Sequence, residues 1–186
     1  LRPADPLQRA AMRVWPKAPD DGLHAAGGTT SYAAIFAGQV LAHHGRRALD
    51  ARLARLPDRF RAERQRELFD RGLDASFVPQ HVKLHDKLLG EMEAALAAAP
   101  WLAGAAFSLA DIAILPYVWR LERLGLAGMW ASRRRVAGWL ERAKARPSRN
   151  TAMEAFPSLG GHDYDDDAVG RGVDVWPKVR AMLAPS

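Results

Sequence analysis

The segment Phe107-Ser108-Leu109-Ala110-Asp111-Ile112 constrains this chain more than any other. Ser108 suits a helix N-cap. Asp111, three residues on, can accept from the Ser108 backbone N–H while the Ser108 hydroxyl accepts from the Asp111 N–H, which closes a capping box. Phe107 before the cap and Ile112 after it have the spacing of a hydrophobic staple. Ile114, Leu115, Tyr117, Val118, Trp119 and Leu121 follow. At about 100° per residue their side chains lie almost all round the first three turns. A helix with that pattern belongs at the centre of a bundle, so the rest of the chain must supply helices to surround it.

It does. Asp5 (N-cap), Pro6 (N1) and Gln8 (N3) open a helix in which Leu7, Ala10, Ala11 and Val14 repeat at helical spacing. Pro16 and Pro19 predict a break between Trp15 and Asp21, because each lacks a donor and crowds the turn before it. Helical pattern resumes by Ser31 and stops at Gly45; a short helix with Leu49, Leu53 and Leu56 ends at Pro57. Residues 58–72 are charged and read as a solvated surface helix, with Glu67 and Arg71 at i,i+4. From Val78 to Ala98 one stripe carries Val82, His85, Leu89, Met92 and Leu96. Gly125 ends the central helix. Another helix runs from Ser132 to Arg146 with Val136, Trp139, Leu140 and Ala143 inward, and a short piece follows to Phe156. The fold class is all-α. The expected organisation is a linker over 1–6, a helical domain over 7–156, and a loop with a docked helical tail over 157–186.

Composition excludes several chemistries. With no Cys among 186 residues there is no thiolate zinc site, disulfide or Cys nucleophile. No apolar run reaches a membrane span. The net charge of +6 comes mostly from Arg scattered along helices among acids, not from a patch, so nucleic acid is not the expected partner. His81 and His85 have the i,i+4 spacing of a zincin, but Val82 stands where its Glu would be, so His85 reads as a core residue. His43-His44 reads as a solvated helix end, and Asp163 to Asp167 as a solvated loop without the spacing of a calcium loop. No metal site, phosphate loop or nucleophile elbow appears. Ser108 and Asp111 are read as structural caps and not as a nucleophile and base.

The run Pro100-Trp101-Leu102-Ala103-Gly104, then Phe107 to Ala113, Pro116-Tyr117 and Leu121, resembles the C-terminal helical domain of glutathione S-transferases. Val136 to Arg142 and Ala145-Arg146-Pro147-Ser148 are similar to that family's next helix. The opening residues 1–15 resemble its interdomain linker and first domain helix, in the manner of bacterial members that include the β-aryl-ether-cleaving branch. Val175 to Arg180 is similar to a bacterial tail.

The resemblance implies a domain that walls the site of a small apolar electrophile and contributes to a homodimer. Glutathione would be the co-substrate, bound mainly by a thioredoxin-like N-terminal domain that does not precede Leu1 in this sequence. No catalytic residue carries over. The expected wall residues are Trp15 and Tyr117, and the implied location is cytoplasmic. The chain is expected to begin inside a longer gene product and to be inactive alone. The competing reading is a non-catalytic binding or assembly module of the same fold.

Overall fold

A computed structural model describes residues 1–155 and 172–184. Except for Gly172, the loop expected over 157–172 lies outside the described residues. Among the described residues the structure is helical, and its one extended pairing is an isolated bridge between Trp101 and Gly104. No described helix is long and apolar enough to cross a membrane.

Helix α1 (Pro6–Val14) starts as its sequence dictates: the Asp5 carboxylate accepts from the Leu7 and Gln8 N–H groups at 3.2 Å. Its apolar repeat does not face the core. Leu7 is 79% and Val14 68% exposed, and Met12 is the buried residue. The break expected between Trp15 and Asp21 is present: α1 stops at Val14, and Trp15 and Pro16 form a turn. Pro19 occupies the first turn of a short π-helical segment (Pro19–Leu23), where its missing N–H is no loss. The backbone leaves helical geometry at Asp21 and at Gly22, whose φ of 117° suits glycine. The departure starts within the expected window at Asp21 and extends one residue past it to Gly22.

Beyond it α2 (His24–Ser31) continues through a π-helical turn (Tyr32–Phe36) into α3 (Ala37–His44). Helices α4 (Arg46–Ala54) and α5 (Arg59–Arg71) form an outer arm. Its buried apolar residues include Leu49, Leu53, Ala62 and Leu68. Helix α6 (Val78–Ala95) buries the predicted stripe, from Val82 and His85 to Met92, with Leu96 just past its end. Helix α7 (Leu109–Arg123) packs against α1, α2 and α8, and α8 (Arg134–Lys144) packs on both α6 and α7 with Val136, Trp139, Leu140 and Ala143 buried. Each large apolar side chain sealed this way contributes roughly 1.5–3 kcal/mol.

Helix α7 is not buried all round. Ala110, Ile114, Val118 and Leu121 face the core, but Leu109 (43%) and Ile112 (41%) face solvent. Phe107 packs edge-on against Trp101 at 4.9 Å, beneath the Arg146 guanidinium. After α9 (Pro147–Ala155), the last helix α10 (Trp176–Met182) docks through buried Val179. The Trp176 ring sits where a Cβ on Gly128 would be, 2.3 Å away, so only glycine admits that contact.

Candidate functional site

Of two open grooves, one between α2 and α7 and one between α1 and α6, each holds one of the two wall residues expected from sequence. Tyr117, in the middle of α7, lies against α2. Its hydroxyl is 3.2 Å from His24 Nδ1, with the two rings edge to face. The ring reaches α2 because Gly27 has no side chain: a Cβ there would stand 3.3 Å from Tyr117 Cδ1. The groove beside it has a volume of about 490 Å³ and takes in Gly28, Tyr32, Phe36, Pro116 and Arg120. Burial, and after it the negative charge of Asp20, raises the Tyr117 pKa above the ordinary phenol value. The phenol therefore stays protonated at neutral pH and can donate a hydrogen bond. Arg120 lies over the Phe36 ring at 5.3 Å.

Trp15 lines the other groove, between α1 and α6, of about 550 Å³. Its walls are apolar (Val14, Leu84, Leu88, Leu102), with Asp21, Lys87 and Glu91 also lining it. The structure does not bring Trp15 and Tyr117 to one site.

Ser108 and Asp111 are sealed in the interior, 1% and 0% exposed. Asp111 Oδ2 accepts from the Ser108 N–H at 2.9 Å and from the Ser108 hydroxyl at 3.2 Å. Ser108 Oγ accepts from the Ala110 N–H, and the capping box is closed. Asp111 Oδ1 accepts from the Leu102 N–H at 3.0 Å and from the Trp139 indole N–H at 2.8 Å. One carboxylate thus ties together the start of α7, the turn before it and helix α8.

Among the described residues no three His, Asp or Glu groups assemble as a metal site. His85 is 1% exposed in the core, and His81 Nε2 is 3.1 Å from the Arg64 guanidinium.

The sequence model of the family described as glutathione S-transferase, C-terminal domain, matches residues 78–142. Over those residues the chain is similar to that domain. Glutathione S-transferase GstB of Escherichia coli K12 is 31% identical over 75 residues, 40% of this chain and 35% of that protein. GstB of the O6:H1 strain matches equally. The chain spans about a third of the length of these curated relatives. Among solved structures, the β-etherase LigF from Sphingobium sp. strain SYK-6 superposes with a TM-score of 0.68 at 23% identity, over 83% of this chain and 65% of LigF. Glutathione transferase F7 from Populus trichocarpa gives 0.54 at 22% identity, over 81% of this chain and 57% of the other. At those identities the likeness is one of fold.

In this helical domain, sequence reasoning missed three polar partners. Trp139 reads as an inward apolar residue, yet its buried indole N–H needs an acceptor, which was the available signal. Glu93 of α6 accepts from the Arg135 and Val136 N–H groups and so caps α8, whose N-cap residue, Arg133, provides no side-chain cap of its own. His24, the partner of Tyr117, lies 93 residues away in the chain, and no local pattern announces it.

Proposed function

We propose that the α2–α7 groove is the wall against which a glutathione S-transferase holds a small apolar electrophile. Glutathione itself would be held by a thioredoxin-like domain acting with this chain. The observation that carries the reading is the Tyr117–His24 pair beside Gly27, which sets one protonated phenol at the edge of a groove that also offers the Phe36 ring and Pro116 as apolar surface and Ser31 and Arg120 as polar lining. The reaction is attack of the glutathione thiolate on an electrophilic carbon: a C–S bond forms and the leaving group departs with the bonding pair. If the electrophile is an aryl ether, the departing group is a phenolate oxygen, which takes a proton from water. The Tyr117 O–H can hydrogen-bond that oxygen as charge develops. The likeness to the β-etherase LigF supports this substrate class. The glutathione pool such chemistry draws on is cytoplasmic.

Asp111 and Ser108 act in this reading as the structural fastening of α7 and take no part in chemistry. Trp15 belongs to the apolar α1–α6 groove, where exposed Val14 and Leu7 suit a homodimer contact.

Calorimetric titration with a water-soluble aryl ether tests the assignment. Tyr117→Phe and His24→Ala should each weaken binding several-fold and Trp15→Ala should not. Loss of binding in Trp15→Ala alone would move the wall to the other groove. The purified chain is expected to show no conjugation of glutathione, because this reading assigns glutathione binding to a thioredoxin-like domain acting with it. Turnover removed by Tyr117→Phe in the chain alone would contradict this.

A further inference from the structure

A third cleft, between α2 and the outer helix α5, has no place in the reading above. It holds about 630 Å³ and combines aromatic rings with the guanidiniums of Arg61 and Arg64. The Arg64 guanidinium lies 3.9 Å over the Phe77 ring and 5.5 Å from the Phe60 ring centre. Its Nη2 is 3.1 Å from His81 Nε2. Burial, then the charge of Arg64, lowers the His81 pKa, so His81 is neutral and serves as acceptor rather than as a competing cation. Arg61 stands one turn away on the same cleft.

Among the described residues, no carboxylate pairs with either guanidinium. Asp58, the acid lining the cleft, is engaged in capping α5 through the Arg61 N–H at 3.0 Å. Glu67 accepts from the Ser76 N–H at 2.6 Å and from the Ser76 hydroxyl at 3.1 Å. Two guanidiniums against one carboxylate leave the cleft lining with a single net positive charge. Phe60 is 65% exposed, a large ring surface open to solvent beside that charge.

We propose that this cleft binds a planar aromatic carboxylate. The guanidinium is held face-on by Phe77, so its edge donors are oriented before any ligand arrives. That fork matches a carboxylate bidentately and loses little freedom on binding. Phe60 and Tyr32 offer ring surface to the aromatic body of the same ligand. A single net charge favours a monocarboxylate over a phosphate or polyanion. The site is separate from the Tyr117 groove, although both touch Gly28 and Tyr32 of α2.

The test is calorimetric titration of the purified chain with 2-naphthoate, its neutral amide 2-naphthamide, and inorganic phosphate. Naphthoate should bind at least about tenfold more tightly than the amide, the worth of one charge-assisted bidentate contact. Arg64→Gln should remove that preference. Phe60→Ala, which deletes an exposed ring and leaves the core intact, should weaken the acid and the amide alike by several-fold. Arg61→Gln should reduce the acid-over-amide preference in part and serves if Arg64→Gln does not fold. Tyr117→Phe should leave naphthoate affinity unchanged, whatever becomes of the aryl-ether site. Equal binding of acid and amide, phosphate binding as tightly as naphthoate, or full affinity in both Arg variants would overturn the proposal.

Discussion

Asp111 and Tyr117 stand on the same helix, less than two turns apart, in opposite surroundings. Asp111 is sealed from water and accepts from four donors: Leu102 N–H, Ser108 N–H, Ser108 Oγ–H and Trp139 Nε1–H. Tyr117 stands at the wall of an open groove with one side-chain partner of the same order, His24. A buried carboxylate is tolerated only where its lone pairs are used, and here they bind three parts of the fold together. A half-buried phenol with spare hydrogen-bonding capacity is free to meet a ligand. The difference teaches that polarity within α7 divides by burial: the first turn holds the bundle and the middle faces an open groove.

The largest expected effect breaks the first side of that division. Asp111→Ala strands four buried donors at once, which should cost about 3–5 kcal/mol against a total stability of roughly 5–15 kcal/mol. The two local bonds visible in the sequence would have suggested about 1–3 kcal/mol; Leu102 and Trp139 account for the increase. The urea midpoint checks this. Combining it with Ser108→Ala should lose less than the sum, since the two residues form one reciprocal unit.

Next is His85, a buried polar group without such donors. Neither ring nitrogen makes a hydrogen bond of good geometry, although the Ala26 backbone offsets part of the burial penalty. Burial lowers its pKa from 6.5 to about 4. The folded value lies below the unfolded one, so the unfolded chain takes up the proton first as pH falls. Stability attributable to His85 is therefore complete above pH ~6.5 and is lost on descending through pH ~4, by about 3 kcal/mol. Urea midpoints from pH 7 to 4 should show this fall, and His85→Leu should flatten it. An unchanged slope in that variant would place the acid sensitivity elsewhere.

Trp139→Phe removes one of the four donors while keeping most of the ring. It should cost about 1.5–3 kcal/mol, and little more when added to Asp111→Ala. The smallest effect on stability belongs to Tyr117→Phe. Its midpoint should move by less than about 0.5 kcal/mol, as for substitutions away from buried networks, while ligand affinity falls.

What was legible in the sequence follows from the range of each interaction. The capping box could be read because its two members lie three residues apart and their bond is set by helix geometry alone. The stripe of α6 was legible for the same reason, and so was the burial of His85. Trp139 reaches Asp111 across 28 residues, and Tyr117 meets His24 across 93; only packing puts those pairs together. The exposure of Leu7 and Val14 was hidden because periodicity marks an apolar face without saying what covers it. The break between Trp15 and Asp21 was legible because prolines punctuate a helix locally; its extension to Gly22 was not, because a φ of 117° depends on how the chain turns there.

The division of α7 is tested most directly by mapping backbone amide shifts while a water-soluble aryl ether is titrated into the chain. The account predicts saturable shifts along 24–36 and 116–120, with Ser108, Asp111 and the α1–α6 groove around Trp15 silent. Shifts centred on Ser108 and Asp111, or confined to the Trp15 groove, would contradict it.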